Sequence, residues 1–158
     1  MNASREYLQM QVDAFGREHA RLAAWLLDHG REFTVDARTF KGRRMRAKEC
    51  FSNATRMVVR DPSLTYVEGY VTALIPIHHA WVMRPDGSII DPTLSLKMLN
   101  GGTRVIDGYF GVPFSYDYLA ECLTANRVYG ILDGMNRTLP DLIEGRADFT
   151  TEMRERLA

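Results

Sequence analysis

Cysteine is scarce: the 158-residue chain has two, Cys50 and Cys122. Two thiols cannot build a disulfide scaffold, and in a reducing compartment both stay free, so one of them is available as a nucleophile. An excess of one charge is also missing. The 20 basic and 20 acidic residues cancel, so no global field draws nucleic acid or an anionic membrane. No apolar run approaches the roughly 20 residues that span a bilayer. Met1-Asn2-Ala3-Ser4-Arg5-Glu6-Tyr7 lacks the basic-then-apolar layout of a signal peptide. A cytoplasmic chain without a membrane partner is therefore expected. No repeat, low-complexity tract or linker interrupts the sequence, and its length suits one domain with a real core. We expect a single domain over residues 1–158, with an N-terminal helical region at 1–30, a middle region at 49–93, and further sheet and C-terminal helices at 94–158.

From Ser4 to His29, apolar Leu8, Val12, Phe15, Leu22, Trp25 and Leu26 recur at steps of three and four. That spacing predicts an amphipathic helix with Gly30 as its C′ residue and a kink or break at Gly16. The pattern is lost from Arg31 to Lys48. Arg38, Lys41, Arg43, Arg44, Arg46 and Lys48 mark that stretch as a basic loop. Cys50, Ala54, Met57 and Val58 share one face of a helix beginning near Glu49, and Asp61-Pro62 ends it because a pre-proline residue avoids helical angles. Tyr66 to Ile75 and Ile77 to Arg84 read as strands. Pro85-Asp86-Gly87 reads as a turn into a third strand, Ser88 to Asp91. Further on, Asn100-Gly101-Gly102 precedes a possible strand from Thr103 to Phe110. Ser115 can cap a helix containing Tyr118, Leu119, Cys122 and Leu123, and two short helices follow Pro140 and Thr150. The middle of the chain is thus an antiparallel meander after a helix.

The order of three side chains in that meander carries the chemistry. A thiol in the first turn of a helix feels the positive end of the helix dipole, which favours the thiolate, and the free N–H groups there can hold an oxyanion. Cys50 is so placed, although cysteine also packs well in cores. Strand alternation puts Ile77, His79, Trp81 and Met83 on one face and His78, Ala80, Val82 and Arg84 on the other. Only one histidine can face Cys50. We select His79, because Trp81 would lie beside it and shield the imidazole; the alternative is a surface histidine pair with Trp81 filling core. Adjacent strand residues point apart and no matching ligand set accompanies them, so neither a metal nor another cofactor is expected. Asp91 ends the third strand, one hairpin from His79, where it could orient the ring. Asp-Pro-Thr is also an ordinary strand-ending turn.

Cys50 at a helix start, His79-Ala80-Trp81-Val82 and Ile90-Asp91-Pro92-Thr93 together resemble the transglutaminase-like core of the papain-like cysteine enzymes. The resemblance covers roughly Glu49 to Thr93. It implies Cys50 as nucleophile, His79 as general base and then acid, and Asp91 as orienter. One departure is that Lys48-Glu49 stand before the thiol, where the superfamily often has glycine. The rest of the chain resembles, more loosely, uncharacterised bacterial and phage proteins with a Tyr-Val-Glu-Gly-Tyr strand, here Tyr66-Val67-Glu68-Gly69-Tyr70. In that strand Gly69 would let another backbone or a substrate approach, and Glu68, pointing to the opposite face from Val67 and Val71, reads as structural.

The expected fold is therefore α+β, a papain-like or transglutaminase-like core with the nucleophile helix packed on an antiparallel sheet and flanked by further helices. The expected activity is cysteine-dependent hydrolysis of a peptide or protein amide. The alternatives are an acyltransferase or transglutaminase, and a non-catalytic binding protein of the same fold that uses the basic Arg38 to Lys48 run. Asn53, one turn after Cys50, either contacts the site or is solvated. Tyr109, in the glycine-flanked Gly108 to Phe114 stretch, walls the cleft, moves as a lid or packs in the core. Aromatics are not interleaved with the basic run as a single-strand channel requires, which argues against a nucleic-acid partner. Cys122, on an apolar helix face, reads as a buried residue.

Overall fold

The computed structural model describes residues 2–42, 45–94 and 108–150. Arg43 and Arg44, the Asn100-Gly101-Gly102 turn, residues 103–107 of the expected strand and the helix after Thr150 fall outside them.

The N-terminal amphipathic stretch forms two helices, α1 (Ala3–Phe15) and α2 (Arg21–His29). Asn2 caps the first, its Oδ1 accepting from the N–H groups of Ser4 and Arg5. Gly16, at φ 75°, ends it, so the break foreseen at that glycine is complete. Gly30 follows the last helical residue, as the sequence suggested, with an extended backbone at φ −82°. Space is what it provides: a Cβ there would lie 2.5 Å from the Leu26 carbonyl oxygen and 2.7 Å from the Phe110 ring.

The segment expected to be loop from Arg31 begins instead with a strand, β1 (Arg31–Phe33), paired antiparallel with a later one. Three residues are too few for alternation to reveal a strand. The helix bearing Cys50 is α3 (Cys50–Arg60). Next come β2 (Thr65–Thr72), β3 (Pro76–Met83) and β4 (Ile89–Ile90). The first strand of this meander stops at Thr72 rather than Ile75, because Leu74 and Ile75 are two-thirds exposed at the hairpin tip. The third is two residues long, not four. Ser88 bonds back to Asp86 in the turn, and the Asp91 N–H donates to Thr39 O instead of to the sheet.

Past the undescribed segment, β5 runs Tyr109–Phe114, beginning near the end of the predicted 103–110 strand. Two helices follow, α4 (Tyr116–Asn126), capped by Ser115 as expected, and α5 (Leu139–Ile143). The strands make one antiparallel sheet in the order β1-β5-β2-β3-β4, so the fold is α+β. Period-2 alternation gives the sheet two apolar faces. Tyr66, Ala80, Val82, Val112 and Phe114 pack against Leu8, Leu26, Ala54, Val58 and Leu119 of the helices. On the other face Val67, Val71, Trp81, Ile89 and Tyr109 cluster with Phe33, and Val35 and Phe40 pack against them. The basic segment after β1 therefore supplies apolar cover to the face that carries His79.

Candidate functional site

The start of α3 and the edge of β3 meet because β4 is short. It pairs only with Val82 and Met83, so among the described residues no strand lies beyond Pro76 to Ala80 on that side. Consecutive residues of α3 then reach opposite faces of β3. Cys50 interacts with His79, while the Phe51 ring lies 4.9 Å from that of His78. Two neighbouring side chains can do this only at an open edge, since alternation sends His78 and His79 to opposite sides. Cys50 is half-buried. As the first helical residue, it lies in the turn where N–H groups have no intrahelical partner; the backbone ladder begins with Asn53 N–H to Glu49 O. Before it, Lys48 takes the left-handed conformation at φ 64°, the geometry for which glycine is suited.

His79 is 2% exposed. Its Nε2–H donates to Asp91 Oδ2 at 2.7 Å, which leaves Nδ1 for Cys50. Asp91 is fully engaged. Oδ2 also accepts from the Tyr109 hydroxyl at 2.7 Å, and Oδ1 from the N–H groups of Thr93 and Leu94, each at 2.8 Å. A carboxylate held by four donors cannot swing, so it fixes the ring plane and tautomer of its histidine. Burial works against a charged imidazole, but the Asp91 charge and hydrogen bond, joined by Cys50, prevail and raise the His79 pKa to about 9. Burial likewise opposes ionisation of Asp91, yet His79 and the donors to its oxygens leave its pKa below the usual value. For Tyr109, burial and the adjacent Asp91 charge push the phenol well up, keeping its proton on the oxygen that donates.

Trp81 lies on the His79 face as alternation required. The two rings stack 6.2 Å apart at 21°, and the indole is fully buried between Phe33 and Tyr109. Among the described residues its Nε1–H has no hydrogen-bond partner. Asn53 is buried rather than solvated: its Nδ2 donates to Arg46 O at 2.7 Å and Thr93 Oγ1 at 2.9 Å. That side chain ties α3 to the turn carrying Asp91. Backbone bonds from Met45 N–H to Pro92 O and from Asp91 N–H to Thr39 O strap the basic segment onto the same turn. Within that segment, Arg38 pairs with Asp36 and Asp86, and Arg46 with Glu49.

All six residues singled out in the sequence thus gather at one place. Tyr109 contacts the Asp91 carboxylate, which its aromatic surroundings did not foretell. Thr39 escaped notice because a threonine in a loop carries no distinguishing pattern, and Thr93 stood only as part of the Asp91-Pro92-Thr93 turn, with no sign of its bond to Asn53. Cys122 is wholly buried in the helical core, and burial raises its thiol pKa.

Among the described residues no helix is long and apolar enough to cross a membrane, and no group of three or more His, Cys, Asp or Glu side chains could hold a metal ion. No family model, curated protein or solved structure matches the chain.

Proposed function

We propose that this protein is a cysteine-dependent hydrolase of an amide bond, of peptidase or deamidase type, built on a papain-like or transglutaminase-like core. The observation that carries the reading is the buried His79 imidazole, held at Nε2 by a saturated Asp91 and interacting with Cys50 at the start of a helix. An imidazole kept charged at neutral pH is the partner a thiolate nucleophile requires.

Cys50 Sγ attacks the carbonyl carbon, and the electron pair of the C=O bond moves to oxygen. Free N–H groups in the first turn of α3 donate to that oxyanion, a contribution worth about 3 to 4 kcal/mol per well-aimed donor. His79 passes its Nδ1 proton to the leaving nitrogen as the C–N bond breaks. A water molecule, losing its proton to His79, then attacks the thioester, and Cys50 leaves as thiolate. Asp91 keeps its charge throughout and stabilises the imidazolium. Hydrolysis is preferred to transfer because water needs no acceptor site.

The test needs no substrate. At pH 6, iodoacetamide should label Cys50 in the wild type at least about tenfold faster than in His79→Ala, the usual scale of base assistance being larger still. Labelling should disappear in Cys50→Ala. Equal rates in wild type and His79→Ala would remove the basis of the proposal.

A further inference from the structure

Directly behind the His79–Asp91 pair, on the opposite face of the sheet, lies a second histidine–carboxylate pair that the chemistry above leaves unused. Glu68 has no exposed surface. Its Oε1 accepts from His78 Nε2–H at 2.8 Å and Leu132 N–H at 2.9 Å, and its Oε2 from the Tyr66 hydroxyl and Ile131 N–H, each at 2.7 Å. A buried carboxylate is costly compared with an apolar residue of similar volume unless its oxygens are satisfied, and satisfaction alone explains its tolerance rather than its presence.

Two of these contacts border the Phe51 ring, His78 directly and the Ile131 N–H through its neighbour Gly130. His78 approaches one part of the Phe51 ring, at 4.9 Å between centroids. Gly130, immediately before the two loop N–H groups that Glu68 holds, approaches another; a Cβ on it would stand 3.4 Å from the ring and 3.7 Å from Glu68 Oε1. Both walls around Phe51 are therefore anchored by one carboxylate. Phe51 follows Cys50 directly, so the grip on its ring sets how the first turn of α3 sits against the edge of β3. His79 meets that turn from one face and His78 from the other.

We propose that Glu68 and His78 are positioning residues, which hold Phe51 and thereby align Cys50 with His79 without themselves touching substrate. The proposal rests on the reading of Cys50, His79 and Asp91 as a catalytic triad. Displacing a reacting group by about 1 Å costs up to a hundredfold in rate, so loosening this grip should be felt at the thiol although no atom of the triad is changed.

The experiment is the rate of iodoacetamide labelling of Cys50 at pH 6 in the full chain, compared among wild type, Glu68→Gln, His78→Asn and His79→Ala, each assayed well below its own thermal midpoint. Glu68→Gln keeps shape but replaces one acceptor oxygen by a donor facing other donors, and should slow labelling about ten- to a hundredfold. His78→Asn removes the ring from Phe51 and leaves the other three partners of Glu68 in place; it should slow labelling too, and serves if Glu68→Gln does not fold. A lowered melting temperature with an unchanged labelling rate in the folded variants would show a purely structural pair and overturn the proposal. If His79→Ala slows labelling and the two variants do not, this proposal falls and the triad stands. If none of the three slows it, both fall.

Discussion

His79 is buried and yet charged, and that combination has a pH signature. Its folded pKa, about 9, stands above the ordinary 6.5. Its contribution to stability is therefore complete below about pH 6.5 and is lost as pH rises through about 9. Asp91 is shifted the other way, below 3.8, so the same pairing is complete above roughly pH 4 and fails as pH falls further. The two shifts describe one interaction, worth on the order of 2 to 3 kcal/mol. Unfolding free energy from urea titrations should accordingly fall between pH 6.5 and 9.5 by about that much more in the wild type than in His79→Gln, where the buried Cys122 thiol still contributes a slope. A wild-type slope that survives the substitution undiminished would refute the assignment. A second residue-scale consequence concerns Lys48, exposed and left-handed just before α3. Glycine there relieves about 1 to 2 kcal/mol of backbone strain, partly offset by about 0.4 to 1 kcal/mol of added unfolded-chain entropy. Lys48→Gly should thus be slightly stabilising, and Lys48→Val, β-branched in the same conformation, should lose about 1 to 2 kcal/mol. Equal denaturation midpoints for the two variants would contradict this account.

Among the described residues, β2 bears the tightest glycine site. Gly69 is paired with His79 on one side and Gly111 on the other, and a Cβ on it would meet Phe110 O at 2.2 Å and Gly111 Cα at 2.4 Å. Both are main-chain atoms, so no side chain can yield. Gly69→Ala should cost at least about 3 kcal/mol, the upper end of ordinary overpacking, and should move His79 with it; a melting temperature within error of wild type would disprove the clash. The sequence marked this glycine as a site of close approach, and the approaching partner is the backbone of β5. Elements of eight or more residues were legible because their period could be counted: α1, α2, α3, β2, β3 and α4 lie within a few residues of where alternation and caps put them. The strand β1 was missed, and β4 was read from the turn before it but as four residues rather than two. With three and two residues, they are defined by their pairing with β5 and β3 rather than by any pattern of their own.

The molecule as a whole is a sheet covered by helices on one face and by the β1-to-α3 segment on the other, with β2 at its centre. Because β2 has strand partners along both sides, and Tyr66, Val67, Glu68 and Val71 are fully buried, its amides should exchange with solvent most slowly, whereas β1 and β4 at the edges should exchange fastest. Hydrogen-exchange protection in β1 or β4 equal to that in β2 would mean the sheet order does not govern local stability. The same order separates what sequence could determine from what it could not. Strand parity, which selects His79 over His78, and helix phase, which puts Cys50 in a first turn, follow from backbone geometry repeated over a few residues, so they were present in the chain itself. That Tyr109 donates to Asp91, that Asn53 reaches Thr93, and that Glu68 gathers Ile131 and Leu132 across 63 and 64 residues depends on which strands become neighbours. So does the open edge of β3, where one helix turn meets both histidines. Contacts between distant segments leave no local period, and only the folded chain decides them.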